Sequence, residues 1–159
     1  MFTHLLLCTH GSDGARRAEK FVFEQLMAAD KAPNLTVLTI IDKDWAIMSS
    51  DDWLNTSKTR NTFRDYAQEQ MGREIDEDWQ RIQATYPDAT SVRFMKVVGG
   101  IEETMAEVAE NVGSDLIVIG PCRIKPRRLL SLKMEPGLAA TLSNKKLHPL
   151  LPVPLLVVP

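Results

Sequence analysis

The chain has 159 residues, 44% of them hydrophobic and 25% charged, with two cysteines and a formal net charge of −2. That is the composition of one globular domain over residues 1–159, and it excludes a disordered chain or a disulfide scaffold. No apolar run approaches the ~18–20 residues of a membrane span, and no secretory leader precedes Leu5–Leu7, so the expected compartment is the cytoplasm.

Charge is unevenly distributed. Residues 1–119 hold 12 Lys/Arg against 20 Asp/Glu, whereas residues 120–159 hold 7 Lys/Arg and a single acid, Glu135. A basic end could attract an anion or an acidic partner, or simply balance acidic helices in the same fold. Nucleic acid is not the expected partner.

Residues 4–9 are short and apolar, of strand length. Gly11-Ser12-Asp13-Gly14 then forms a turn cluster. Ala15, Ala18, Val22, Leu26 and Ala29 follow at helical spacing, predicting a helix over about 14–29 with Ser12 or Asp13 as its N-cap. Leu35–Ile41 predicts a second strand, apolar enough to be buried on both faces. Residues 42–57 read as irregular, and Trp45 and Trp53 within them either cap the core or form a partner patch.

A long helix follows, marked by Phe63, Ala67, Met71, Ile75, Trp79, Ile82 and Tyr86 and stopped by Pro87. Val92–Val98 predicts a third strand closed by Gly99-Gly100. Ile101, Met105, Val108, Ala109 and Val112 mark a third helix with Gly113 as its C-terminal cap. Asp115–Ile119 predicts a fourth strand. Residues 120–136 are basic and proline-rich, a short helix is expected over about 137–148, and Val153–Val158 predicts a last strand. Pro154 places that strand at an edge.

The alternation of strand and helix makes this an α/β chain with a doubly wound parallel sheet covered by helices on both faces. Ligands of such sheets sit at the carboxyl ends of the strands, where the strand order reverses. The loops there contain Thr9, His10, Gly11 and Ser12 after the first strand, Ile41 and Asp42 at the end of the second, Val98 and Gly99 at the end of the third, and Gly120, Arg123, Arg127 and Arg128 after the fourth. The glycines and a helix start could approach an anion, although a tight capped turn needs the same residues. The arginines could face phosphates or form a solvated loop. His10 and Cys122 could pair as nucleophile or metal ligands, but two residues are too few for a structural metal site, and no metal is expected. Cys8 reads as inert core, and His4 and His148 have no visible partners in sequence. No catalytic constellation stands out.

The pattern resembles the universal stress protein family. The residues that carry the resemblance are Thr9-His10-Gly11-Ser12 with Ala15, Leu35–Asp42, the stretch Val98-Gly99-Gly100-Ile101-Glu102-Glu103 through Gly113-Ser114-Asp115-Leu116-Ile117-Val118-Ile119-Gly120, and the tail Leu151–Val158. The resemblance implies a five-stranded parallel sheet of order 3-2-1-4-5, usually in a dimer. It implies a stress-related regulatory or partner-binding module, and some members of the family bind ATP. Members that bind ATP carry an acid in the first loop, where this chain has His10. They also carry a glycine motif after strand four, in which Gly120 fits the first position but Arg123 stands where the second glycine belongs. The resemblance therefore implies weak ATP binding here, with a nucleotide such as ATP or AMP as the only candidate cofactor. The family motif does not imply it, but Arg123, Lys125, Arg127 and Arg128 could replace the backbone amides as phosphate donors. It further implies a homodimer through Val153–Val158, an edge strand that could pair with a second copy.

Overall fold

The computed structural model describes residues 1–28, 31–42, 57–121 and 151–159. The expectations for residues 43–56 (with Trp45 and Trp53), for the arginine loop and Cys122, and for the helix over 137–148 with His148 lie outside the described residues.

Five strands form one parallel sheet: β1 (His4–Cys8), β2 (Asn34–Asp42), β3 (Arg93–Gly99), β4 (Leu116–Ile119) and β5 (Leu155–Val157), in the order 3-2-1-4-5. The helices are α1 (Asp13–Phe21), α2 (Ser57–Thr85) and α3 (Ile101–Val112). This is the doubly wound sheet that the alternating pattern predicts. β1 lies at its centre, and Leu5, Leu6 and Leu7 are all 0% exposed.

Alternate side chains of a strand point to opposite faces, so this run feeds two cores. Leu5 and Leu7 join Leu35, Val37, Leu116 and Val118 against Ala18 and Val22 and against Ile82 of α2. Leu6 joins Leu38, Ile117 and Ile119 against Met105, Val108 and Ala109 of α3. Each large side chain buried in this way contributes about 1.5–3 kcal/mol.

Three boundaries differ from the sequence reading, each for a local reason. The first helix is regular only to Phe21 and continues as a widened turn over Val22–Leu26, closed by Met27 N–H donating to the Val22 carbonyl at 2.9 Å. That turn buries Val22 and Phe23 together and stacks Phe23 on Tyr86, with ring centroids 4.5 Å apart. β3 starts one residue later than expected, at Arg93, because Val92 N–H closes the preceding turn on the Ala89 carbonyl at 3.1 Å; it takes the edge that the order 3-2-1-4-5 gives it, with Arg93, Lys96 and Val98 exposed. β5 is shorter than expected, because Pro152 and Pro154 confine the ladder to Leu155–Val157. It occupies the opposite edge, as Pro154 suggested.

Two polar contacts tie the amino ends of the strands. Asp115 precedes β4, and its carboxylate accepts from Thr3 N at 2.7 Å, Thr3 Oγ1 at 2.9 Å and His4 N at 3.2 Å. His4 has a partner that the sequence did not disclose: its Nε2 lies 2.9 Å from Thr36 Oγ1. Gly113 caps α3 as expected, in a left-handed conformation with φ +66°.

Candidate functional site

The carboxyl end of β1 runs straight into a tight loop. Thr9 continues the ladder, its N–H donating to the Leu38 carbonyl at 3.0 Å. His10 follows, and Gly11 then turns the chain with φ +77°, a conformation that a side chain disfavours. Ser12 is the N-cap of α1: its Oγ accepts from Ala15 N at 3.2 Å. One of the free amides that an anion could use is therefore already taken, and Asp13 adds a carboxylate in the same turn.

Gly120, at the end of β4, meets this loop directly. A Cβ built on Gly120 would collide with the backbone of Gly14 and Ala15, and one built on Gly14 would lie 2.5 Å from the Pro121 carbonyl oxygen. The two glycines let the start of α1 pack backbone to backbone against the end of β4.

Behind the loop is a charged network. Glu19, on α1, is 0% exposed and accepts from the Thr9 hydroxyl. Its second carboxylate oxygen receives Arg81 Nη2 at 2.7 Å, and Arg81 Nε donates to Asp78 Oδ1 at 2.8 Å. Arg81 and Asp78 both belong to α2. The Asp78 carboxylate lies 3.5 Å from where a Gly11 side chain would begin.

Partial desolvation pushes the His10 imidazole below its ordinary value, against the opposing pull of Glu19 and Asp78. Burial disfavours the Arg81 cation, but its hydrogen bonds to Asp78 and Glu19 outweigh this and hold it firmly protonated. The Cys8 thiol is pushed up to about 12 by burial, which makes it a poor nucleophile and a poor metal ligand. Among the described residues no group of acids, histidines and cysteines is arranged to hold a metal ion.

The sequence-predicted residues fall into two groups. Thr9, His10, Gly11, Ser12 and Gly120 converge where β1 and β4 end. Ile41 and Val98 are neighbours in the β2–β3 ladder, as are Asp42 and Gly99. Ile41 and Val98 line a groove of about 370 Å³ against Gln68, Gly72 and Arg73 of α2. Both cations of that groove are already paired, Arg73 with Glu69 at 2.6 Å and Lys96 with Asp76 at 2.8 Å. Gly99 has a packing reason for its identity, because Thr104 Oγ1 fills the space of the missing side chain. Arg123, Arg127 and Arg128 lie outside the described residues.

The profile of the universal stress protein family matches residues 1–130. The chain belongs to that family. Its fold is shared by solved universal stress proteins at low identity. Hypothetical protein MJ0577 superposes with a TM-score of 0.69 at 23% identity, over 99% of this chain and 96% of that one. An Arabidopsis thaliana member, At3g01520, solved with AMP bound, gives 0.52 at 13% identity, over 98% and 90%. A universal stress protein in complex with cAMP gives 0.50 at 20% identity, over 99% and 96%. No curated protein matches the chain.

Within this universal stress protein fold, Glu19, Asp78 and Arg81 are the polar residues at the loop that sequence reasoning missed. One signal was available. Glu19 falls inside the apolar stripe of Ala15, Ala18 and Val22, where an acid must find a partner on folding. Nothing in the sequence placed that partner 62 residues away.

Proposed function

We propose that this universal stress protein is a regulatory, partner-binding module that does not hold ATP efficiently. The observation that supports this reading is the mutual packing of Gly14 and Gly120. In the glycine-motif pattern the backbone after strand four stays open for a polyphosphate. Here Gly120 is buried, and the backbone at the start of α1 fills the space where its side chain would lie. The charges nearest the loop add to the argument: Glu19 and Asp78 share one guanidinium, and a triphosphate would meet a net negative wall. The edge position of β5 favours a second copy of the chain as its first partner.

A second reading rests on the relatives solved with AMP and cAMP. A monophosphate carries less charge than ATP and needs fewer amides. Arg123, Arg127 and Arg128 would supply its donors.

Isothermal titration at physiological salt with ATP, AMP and cAMP tests both. The first reading expects no micromolar binding of any of the three. Micromolar ATP binding overturns it. Micromolar AMP or cAMP binding that is lost on charge reversal at Arg127 and Arg128 establishes the second.

A further inference from the structure

Of the two residues that flank His10, Thr9 is bonded to one carboxylate and Gly11 lies beside a second. Thr9 donates its hydroxyl to Glu19, and Gly11 turns against the carboxylate of Asp78. One guanidinium joins those carboxylates, with contacts of 2.7 Å to Glu19 and 2.8 Å to Asp78. Glu19 is fully buried, so its charge is tolerated only with this partner and the Thr9 hydroxyl in place.

We propose that Arg81 is the positioning residue of the His10 loop, tying Thr9 through Glu19 to the long helix α2 and holding Asp78 beside Gly11, so that loop and helix move as one unit. The inference goes beyond the nucleotide reading and stands without it, because it concerns the ligand-free chain. An arginine suits the role for a geometric reason. Its planar fork presents Nε and Nη2 to two acceptors at once, whereas a lysine ammonium on a flexible stem does not fix two carboxylates in one arrangement. The link extends further along the helix. Two residues before Asp78, Asp76 receives Lys96 Nζ at 2.8 and 2.9 Å, and Lys96 lies on the edge strand β3.

The charged groups that face His10 among the described residues are Glu19 on α1 and Asp78 on α2, with Arg81 bonded to both. His10 therefore reports on the device. The test uses the full chain without ligand, in three forms: the unsubstituted protein, Arg81→Lys and Asp78→Asn. Two readouts are taken by NMR: amide hydrogen exchange of Thr9 and Ala15, the bonded amides at the two ends of the loop, against Leu6 and Leu7 of β1, and titration of the His10 ring.

In Arg81→Lys the loop amides should exchange about tenfold faster while the β1 amides keep their rates, the pattern of a local opening. In Asp78→Asn, where a carboxylate only 18% exposed loses its charge, the loop amides should also exchange faster and the His10 midpoint should fall, since a charge favouring the imidazolium is gone. An unmoved His10 midpoint in Asp78→Asn overturns the proposal. So does Arg81→Lys if it leaves loop exchange unchanged or accelerates loop and β1 amides equally. If Arg81→Lys does not fold, the Asp78→Asn titration and its loop exchange decide alone.

Discussion

The Gly14 carbonyl stands where a Gly120 Cβ would lie, and the Pro121 carbonyl stands 2.5 Å from where a Gly14 Cβ would lie. A methyl group added to Gly120 must push α1 away from β4. Gly120→Ala should destabilise the fold by about 1–3 kcal/mol, the usual range for overpacking a tight contact. Gly72→Ala is the opposite case. Gly72 sits within α2, and its added Cβ would meet only Lys96 Nζ at 3.8 Å. Alanine there should stabilise by about 0.5–1 kcal/mol, because glycine is the poorer helix former. Urea denaturation midpoints measure both, and shifts of the same sign would contradict this account.

The Asp115 clasp predicts a pH dependence. Burial raises the carboxyl, but the hydrogen bonds from Thr3 and His4 outweigh it and hold the group below its ordinary value. The folded state therefore binds this proton less readily than the unfolded chain. The stability it contributes is fully present above the unfolded value near ~4 and is lost as the pH falls through the lower, folded value. Asp115→Asn should cost about 1 kcal/mol at neutral pH, a figure reduced for solvent screening. The gap between the two proteins should close in acid. A gap that persists at the acid limit would show that the charge is not what matters.

The stack of Phe23 on Tyr86 fastens the widened turn after α1 to the end of α2. Phe23 is 7% exposed, and Phe23→Ala should cost about 3–5 kcal/mol. A double-mutant cycle with Tyr86→Ala should return a coupling of about 0.5–1.5 kcal/mol, the aromatic contribution beyond buried area. Purely additive losses would mean that the rings merely share a core.

The dimer expectation acquires a sharper test from β5. Leu155 and Val157 pack into the core beneath the sheet, and Leu156 and Val158 into the core above it. A charge at Val157 would damage that core along with any interface. The backbone offers a cleaner probe. Val158 N–H donates to the Ile119 carbonyl and the Pro154 carbonyl accepts from Ile117, so by strand alternation the amides of Leu155 and Val157 face outward. Sedimentation equilibrium should give twice 17.9 kDa. Val157→Pro, which removes one outward donor, should halve that mass and leave the circular dichroism unchanged. A monomeric parent chain, or a dimer indifferent to the proline, would place the interface elsewhere.

The sheet was legible because its central strands are continuous apolar runs of strand length between turn residues. Leu5–Leu7 and Leu116–Ile119 have no polar position to misread, and the parallel order follows from the alternating pattern and the resemblance. The widened turn at Val22 was not legible, since its residues fit an ordinary helical stripe. The loop residues Thr9–Ser12 were found because glycine and capping chemistry is local. Glu19, Asp78 and Arg81 were missed because their meaning arises from α1 and α2 lying side by side. Asp78 and Arg81, taken alone, read as solvated residues, and the place of Glu19 in the apolar stripe of α1 told that it needed a partner but not which one.

Cys8 has one practical consequence. A thiol held near 12 carries almost no thiolate at neutral pH, and only the thiolate attacks maleimides or disulfides. The chain contains one other cysteine, Cys122, next to the end of β4. A fluorophore or spin label offered at neutral pH should therefore spare Cys8, and a Cys122→Ser chain should take up none.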